Sequence, residues 1–174
     1  MRRQSLNARL MQDGASTEEI YVVLMEITHD DLDAPIRLST DNAKRVSSDP
    51  LVYGTRSSWR DANPLSEPYL WVIASVLVPS DQDDAPSSGS FALETLDSSV
   101  TKLLLSFTDP AQLNIAVVLA SSPDLVEAEW LGLDITTAAI DSGEIALTFS
   151  REEVELERFP FARLTRNRFP GLHL

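Results

Sequence analysis

Few side chains in this sequence could perform acid–base or metal chemistry. The chain contains no cysteine and only two histidines, His29 and His173, which lie far apart. Thiol nucleophiles, disulfides and cysteine-ligated zinc are therefore excluded, and a histidine-rich metal site cannot be assembled. A serine–histidine–aspartate arrangement would have to use one of these two histidines. His29 ends an apolar run directly before two aspartates, a position that is typical of a turn residue.

Carboxylates form two clusters in polar segments that favour turns. The two clusters are Asp30, Asp31 and Asp33, and Asp81, Asp83 and Asp84. Paired carboxylates act in glycosidases and bind calcium. These two clusters lack the spacing of the further ligands of an EF-hand loop. Adjacent acidic residues in a loop usually form a solvated surface. The sequence contains no glycine-rich phosphate loop, nucleophile elbow or zinc-protease motif. We therefore expect a protein that is not an enzyme and that uses neither a cofactor nor a metal.

Length and composition describe an acidic globular chain. Its 174 residues carry a formal net charge of −13, with 43% hydrophobic and 24% charged residues. A chain of this length buries a sufficient core without disulfides. The negative charge disfavours binding to nucleic acid and to anionic membranes, because phosphate groups would be repelled. Every apolar run is far shorter than the roughly 20 residues that span a bilayer, and the N-terminus lacks the apolar core of a secretory signal.

Hydrophobic periodicity predicts a mainly β (α+β) fold with two helices, in a single domain over residues 1–174. Leucines recur at helical spacing within residues 2–14, and a second helical pattern occupies residues 97–107. Apolar and β-branched runs predict strands at 19–29, 36–40, 51–55, 69–78, 91–95, 112–121, 129–139 and 144–150. Turns are expected at residues 122–124 and, as a hairpin, at residues 141–143.

The expected core draws on most of these elements. Its predicted members are Val22, Leu24, Val72, Ile73, Leu103, Leu104, Val117, Leu119, Ile135 and Leu147. Trp59 lies in a polar, irregular stretch between Arg56 and Arg60. Two interpretations of this tryptophan remain open, because it could cover the core locally or contact a partner protein.

Basic residues are concentrated towards the two ends of the chain. Between Asp61 and Glu157 only Lys102 and Arg151 oppose 18 acidic residues, counting both ends of this range. Two interpretations remain open here: ordinary surface charge for solubility, or basic arms that dock onto acidic neighbours in an assembly. For the second, the candidate interface residues are Arg2, Arg3, Leu6, Leu10, Trp59, Arg163, Arg166, Arg168, Phe169 and Leu172.

The order of several segments resembles a family of short tail proteins of tailed bacteriophages, known as a domain of unknown function. The segments that carry the resemblance are the N-terminal helix, residues 20–29, 35–38, the helix after Leu96-Asp97, residues 116–127, and the ending with Phe159-Pro160, Arg163-Leu164-Thr165 and residues 169–172. The layout is also similar to the N-terminal part of the lambda minor tail protein L, whose cysteine-bearing C-terminal part has no counterpart here. The match covers most of the chain, but residues 55–68 and 80–90 depart from the family pattern.

This resemblance implies a structural subunit of a phage tail tip, either a baseplate hub or a distal-tail ring. It implies an antiparallel, tail-tube-like β-sandwich or barrel with an N-terminal helix and one central flanking helix. The implied partners are tail-tube, tape-measure and central tip proteins, and the chain itself would form a ring of three or six copies. The expected location is the virion tail tip, after assembly in the host cytoplasm. The alternative is an assembly factor or chaperone that leaves no copy in the finished particle.

A ring below the tail tube would have to let DNA pass without binding it. Carboxylates on the channel wall would repel phosphate and favour sliding. Asp30, Asp31 and Asp33, together with Asp81, Asp83 and Asp84, are therefore candidates for facing the channel. The other interpretation, plain solvated loops on the outer rim, remains open.

Overall fold

A computed structural model describes residues 4–77, 88–94, 109–141 and 144–150 of the chain. The described elements are α1 (Leu6–Asp13), β1 (Tyr21–Thr28), β2 (Ile36–Ser39), β3 (Lys44–Ser48), β4 (Leu51–Thr55), a turn of 3-10 helix (Trp59–Asp61), β5 (Tyr69–Trp71), β6 (Ile73–Leu77), β7 (Ser88–Glu94), β8 (Gln112–Leu119), β9 (Ser122–Asp141) and β10 (Glu144–Ser150). The expected helix at 97–107, with Leu103 and Leu104, lies outside the described residues, as do most of the acidic loop and the C-terminal segment.

The ten strands form one mixed sheet that curls into a half-barrel. Their order is β3-β4-β5-β2-β1-β8-β9-β10-β7-β6, and every described pairing is antiparallel except the one between β2 and β5. The prediction of a mainly β fold with an N-terminal helix is therefore confirmed. The long ladder between β1 and β8, from Tyr21 opposite Leu119 to Thr28 opposite Gln112, forms the centre of this sheet.

Strand β1 supplies both hydrophobic cores because it is apolar on both faces. Met25 and Ile27 belong to a first core that takes residues from β2 on one side of β1 and from β8, β9, β10, β7 and β6 on the other, so this core lies inside the curl. Val22 and Leu24 point the opposite way into a second core on the outer face. The predicted strands at 19–29 and 36–40 are present as β1 and β2, and they pair as an antiparallel hairpin. Burial on both faces is what a strand in the middle of a covered sheet requires.

The apolar run at residues 69–78 was predicted to be one strand, and the structure divides it at Val72. The part before Val72, β5, pairs with β2 and β4, whereas the part after it, β6, pairs with β7 at the far end of the sheet. The N–H of Val72 still donates to the carbonyl of Ser39 at 2.9 Å. A single segment thus joins both ends of the sheet, which is possible only because the sheet curls.

Of the eight predicted core residues that the structure describes, seven are buried or partly buried and one is exposed. Val22, Leu24, Leu119 and Leu147 are buried, and Val72, Val117 and Ile135 are partly buried. The assignment of Ile73 to the core is wrong, because its side chain is 46% exposed. Alternation along the strand explains this result, since Val72, Ala74 and Val76 pack on the inner core and Ile73 points outward.

Residues 41–68 contain one strand more than predicted. Strand β4 was expected, but β3 was not, because Lys44-Arg45-Val46-Ser47-Ser48 has the polar composition of an exposed edge strand. Strand β4 lies very close to β5. A Cβ atom at Gly54 would lie 2.1 Å from the carbonyl oxygen of Tyr69, so only glycine permits this approach.

The segment 56–68, which we call the strap, runs from β4 to β5 across the outer face of the sheet. Trp59 and Ala62 of the strap belong to the second core. The Ser57 hydroxyl donates to the carbonyl of Pro123 at 2.8 Å, which ties the strap to the start of β9. The strap therefore covers apolar residues of β1 and β8 that would otherwise face solvent.

The last third of the described chain is β structure, as predicted, with different boundaries. Strand β9 already begins at Ser122, so the turn expected at residues 122–124 lies just before them, at residues 120–121. Gly132 has a φ of 63° at a shift in the β8–β9 register, where its N–H donates to the Asn114 side chain at 2.9 Å. The predicted hairpin of β9 and β10 is confirmed by the pairing of Asp141 with Glu144.

Candidate functional site

Helix α1 is attached to the sheet by its two ends. Ser5 caps the helix, since its hydroxyl accepts from the N–H of Ala8, and its own N–H donates to the Glu127 carboxylate on β9 at 2.8 Å. At the other end, the Gln12 side chain donates to the Tyr21 hydroxyl on β1 at 3.2 Å. Because β8 lies between β9 and β1, the helix crosses three strands.

The two leucines that were predicted to contact a partner lie on α1 and point away from the domain. Leu6 is 71% exposed and Leu10 is 61% exposed, whereas Ala8 is completely buried. Arg9 is also exposed between them. The outward surface of α1 thus presents two leucines beside the exposed Arg9 and Asp13, and the helix is held in place by the contacts at Ser5 and Gln12. Arg2 and Arg3 lie outside the described residues, and so do the C-terminal candidates Arg163, Arg166, Arg168, Phe169 and Leu172.

Trp59 covers the core and is not an exposed contact residue. It is buried in the second core, and its ring centroid lies 5.9 Å from that of Tyr69. The Tyr69 hydroxyl donates to the Trp59 carbonyl at 2.8 Å. Burial, with a further contribution from the nearby Glu26 carboxylate, raises the pKa of Tyr69 well above its ordinary value. Of the two interpretations of Trp59, the partner contact is wrong for this chain, because the strap folds the indole inward.

A buried cluster of charges holds the strap to the sheet, and the sequence predictions missed it. Glu26 interrupts the apolar strand β1 and is buried on the outer face. One carboxylate oxygen accepts from Arg60 Nε at 3.1 Å and from Asn114 Nδ2 at 3.3 Å. The other lies 3.4 Å from Arg37 Nε on β2. The sequence feature that could have predicted this cluster is a glutamate within an apolar run, since a buried carboxylate requires cationic or hydrogen-bonding partners.

The cluster extends to the end of the strap and requires an unusual backbone conformation. Arg37 Nη1 donates to Glu67 Oε2 at 2.9 Å, so one arginine connects a carboxylate of β1 with a carboxylate of the strap. Arg60 and Asp61 both have a φ of 56°, in the left-handed region that residues other than glycine rarely adopt. This turn directs the Arg60 side chain back towards Glu26.

A second polar contact fixes the beginning of the strap. Asp124 accepts from the Ser58 N–H at 2.6 Å and from the Ser58 hydroxyl at 2.9 Å. These hydrogen bonds, the backbone one foremost, lower the pKa of Asp124 below its ordinary value of 3.8. The sequence predicted a turn at Asp124, and the structure uses this carboxylate to bind a segment 66 residues away.

An open cleft of about 460 Å³ lies beside the first aspartate cluster. It is lined by Thr28, His29, Asp30, Asp31, Asp109, Pro110 and Gln112. His29 Nδ1 accepts from the Asp31 N–H at 3.1 Å, as a turn residue would. Asp30, Asp31 and Asp33 are exposed, while Asp81, Asp83 and Asp84 lie outside the described residues.

The described part of the chain has neither a metal cluster nor a membrane helix. Within residues 4–77, 88–94, 109–141 and 144–150, no three histidine, aspartate or glutamate side chains are grouped so that they could hold a metal ion. Over the same ranges, α1 falls short of the length and hydrophobicity of a membrane-crossing helix.

No protein-family model matches this chain, and no curated protein is significantly similar to it.

Proposed function

We propose that this protein is a structural component of a bacteriophage tail tip. It would assemble as a homo-oligomeric ring below the tail tube and connect the tube to the tip and receptor-binding proteins. The order of segments along the sequence, from the N-terminal helix to the ending at Phe169–Leu172, supplies the class of protein. The observation that carries the proposal is the outward surface of α1, where Leu6 and Leu10 are 71% and 61% exposed. Exposed apolar residues on a fixed helix are typical of protein–protein contacts.

The mainly β fold is compatible with this role. A curled sheet with its core inside the curl leaves the outer surfaces of α1 and of the strap for neighbours. The acidic turn at Asp30, Asp31 and Asp33 is exposed and would be available to a channel that repels DNA. Tail-tube, tape-measure and central tip proteins are the proposed neighbours.

The direct test is mass spectrometry of purified phage particles that carry the gene. We expect the chain in the particle, in a constant ratio to the tail-tube protein, and we expect it to copurify with tail-tip fractions. Its absence from infectious particles that require the gene for assembly would favour the assembly factor. A second test uses particles in which Leu6 and Leu10 are both replaced by serine, because loss of the chain from these particles would locate the contact on α1.

The channel hypothesis has a separate test. Replacement of Asp30, Asp31 and Asp33 by lysine should slow DNA ejection if this turn faces the channel, because the cations would bind phosphate. Replacement of the same residues by serine is the matched control and should leave ejection close to normal. Lysine particles that assemble and eject at the wild-type rate would place the turn on the outer rim.

A further inference from the structure

Strand β6 is the last strand at one end of the sheet. It pairs with β7 on one side, from Ile73 opposite Glu94 to Leu77 opposite Ser90, and within the described part of the chain no strand pairs with its other side. Its five residues include no charged residue and no proline. An edge strand of this composition presents backbone groups to which another extended segment can bind.

The strand at the other end of the sheet has features that prevent such binding. Strand β3 carries the exposed Lys44 and Arg45, and its ladder with β4 shifts register between Arg45 and Ser47. Charged side chains and bulges keep an edge strand from pairing with another chain. Of the two ends of the sheet, β6 is therefore the one that can accept a further segment.

The outward side chains of β6 are apolar and exposed. Ile73 is 46% exposed and Leu77 is 67% exposed, whereas Ala74 and Val76 pack on the inner core. Because Ile73 and Leu77 lie four positions apart on a strand, they point to the same side of the sheet. A segment bound at this edge would therefore contact two apolar side chains in addition to the backbone of β6.

The strands next to β6 are acidic. Strands β6 to β10 contain no lysine or arginine. In the ladders, Glu94 lies opposite Ile73, Glu144 lies opposite Glu94, and Asp141 lies opposite Glu144. Glu94 is exposed and forms no ion pair with another described residue. Like charges in directly opposite positions destabilise a sheet, so a cationic partner would be favoured here.

The C-terminal segment of the chain has the composition that fits this edge. The described part of the chain ends with β10 at Ser150, and residues 151–174 follow it in the sequence. From Arg158 to Leu174 the sequence contains four arginines and three phenylalanines but no aspartate or glutamate. This segment therefore offers positive charge to Glu94 and its acidic neighbours, and apolar side chains to the exposed face of β6.

The charge of the described residues indicates which part of the chain can join two copies. These residues include six lysines and arginines but 19 aspartates and glutamates, so the described parts of two copies repel each other. A basic segment that leaves one copy and binds the acidic end of another replaces this repulsion with attraction. Residues 151–157 can span about 23 Å when extended, which is enough for the segment after them to reach beyond its own sheet.

We propose that residues 158–174 of one copy bind along the free edge of β6 in the next copy, with their arginines close to Glu94. Backbone hydrogen bonds to β6 would supply affinity, and contacts with Ile73 and Leu77 would supply specificity. Because the contact joins two different parts of the chain, it generates a ring when its rotation closes. The inference rests on the proposed ring and identifies its subunit contact.

The first experiment identifies the occupant of this edge by photo-cross-linking of the full-length chain. The photoreactive amino acid p-benzoylphenylalanine replaces Leu77, which is already large, apolar and exposed. An equal amount of isotopically labelled wild-type chain is added, so that the mass of each cross-linked peptide shows which copy it comes from. We expect position 77 to capture labelled peptides from residues 158–174. The matched control carries the same amino acid in place of Leu51, which is exposed on β4 near the other end of the sheet, and should capture none of them.

Three results of this experiment would overturn the proposal. Capture of residues 158–174 from the same copy alone would show that the segment covers its own β6. Capture of β6 from a second copy would show a two-fold pairing of this strand with itself. Equal capture from positions 77 and 51, or none from position 77, would mean that the segment does not recognise this edge.

The second experiment tests the charges by sedimentation equilibrium. We expect the wild-type chain to self-associate, and we expect joint replacement of Arg163 and Arg166 by glutamate to raise the dissociation constant by about tenfold or more, because attraction to the acidic strands becomes repulsion. Joint replacement of Lys44 and Arg45 by glutamate makes the same change in net charge at exposed positions of β3 and should raise it by less than about threefold. The further substitution Glu94→Lys should restore part of the association of the first variant. A wild-type chain that stays monomeric, or equal effects of the two double variants, would refute the contact.

The two proposals fail separately. If the chain is present in virions but position 77 captures no residue of the segment 158–174, the tail-tip function stands and this contact is wrong. If the contact is confirmed by cross-linking but the chain is missing from virions, the protein forms this assembly outside the finished particle.

Discussion

Removal of the Glu26 carboxylate tests whether the buried charges hold the strap in place. Glu26 is 4% exposed and Arg37 is 11% exposed, so Glu26→Ala leaves the Arg37 guanidinium largely buried beside an empty volume. Breaking a buried ion pair from one side costs about 3–5 kcal/mol, because the remaining charge cannot be rehydrated. Here Arg37 keeps its contact with Glu67, and Arg60 is 43% exposed and can turn to water. We therefore expect a loss near the lower limit, about 3 kcal/mol.

The measurement is urea unfolding followed by tryptophan fluorescence, with the free energy of unfolding obtained by linear extrapolation. Glu26→Gln should cost roughly 2 kcal/mol, since the amide retains one acceptor for Arg60 or Asn114 but loses the charge. Glu129→Ala is the control at an exposed carboxylate on β9 and should change stability by no more than about 0.5 kcal/mol. Hydrogen exchange should show faster opening of the strap amides in Glu26→Ala than in the control.

The reasoning would be refuted if Glu26→Ala cost less than about 1 kcal/mol, the range of a solvent-exposed ion pair. It would equally be refuted if Glu26→Ala lowered the free energy of unfolding while the strap amides kept their protection against hydrogen exchange. The first result would mean that the Trp59 and Ala62 side chains hold the strap without help from charge. The second would mean that Glu26 supports β1 and not the strap.

Three further predictions concern the same region. Arg60→Gly should be more stable than Arg60→Ala by roughly 1 kcal/mol in urea unfolding, because glycine accepts the φ of 56° without strain; equal stabilities would contradict a strained turn. The difference in free energy of unfolding between wild type and Tyr69→Phe should be constant below pH 10 and shrink above it. The reason is that the raised pKa keeps the tyrosine of the folded chain protonated while the tyrosine of the unfolded chain ionises. A difference that stays constant in urea titrations at alkaline pH would contradict a raised pKa of Tyr69. The pKa of the Asp124 carboxyl, measured by NMR, should lie below its ordinary value of 3.8. The stability that this carboxylate contributes, measured as the difference between wild type and Asp124→Asn, should be present above pH 3.8 and disappear as the pH falls through the lowered pKa. A titration midpoint at or above 3.8 would argue against the Ser58 contacts in solution.

Local patterns were sufficient to predict the class of fold and most of its strands. Strand β1 and the hairpin of β9 and β10 follow from apolar periodicity and from the turn sequence Asp141-Ser142-Gly143. The helix at the N-terminus follows from its leucine spacing and from Gly14 as a stop. The same leucines, Leu6 and Leu10, were candidates for contact with a partner, and both are exposed on α1.

The candidate contact surfaces were predicted only in part. The sequence singled out α1, but it could not assign Trp59, because a tryptophan between two arginines has the same local pattern whether it faces inward or outward. Nor did it single out Leu65, which is exposed on the strap and has no distinguishing neighbour in the sequence. The turn around Leu65 is held by Arg37, which binds Glu67, and by Arg56, which binds the Pro64 carbonyl.

What the sequence alone determined is therefore most of the strands, the N-terminal helix, the acidic character of the chain and the lack of thiol chemistry. Only the tertiary structure decided that residues 69–77 divide between two ends of one sheet, that Glu26 is buried among Arg37, Arg60 and Asn114, and that the strap covers the outer face. The physical reason is the range of the interactions. Periodicity and turn propensity act between residues a few positions apart, whereas sheet curvature and the pairing of buried charges depend on residues brought together from distant parts of the chain.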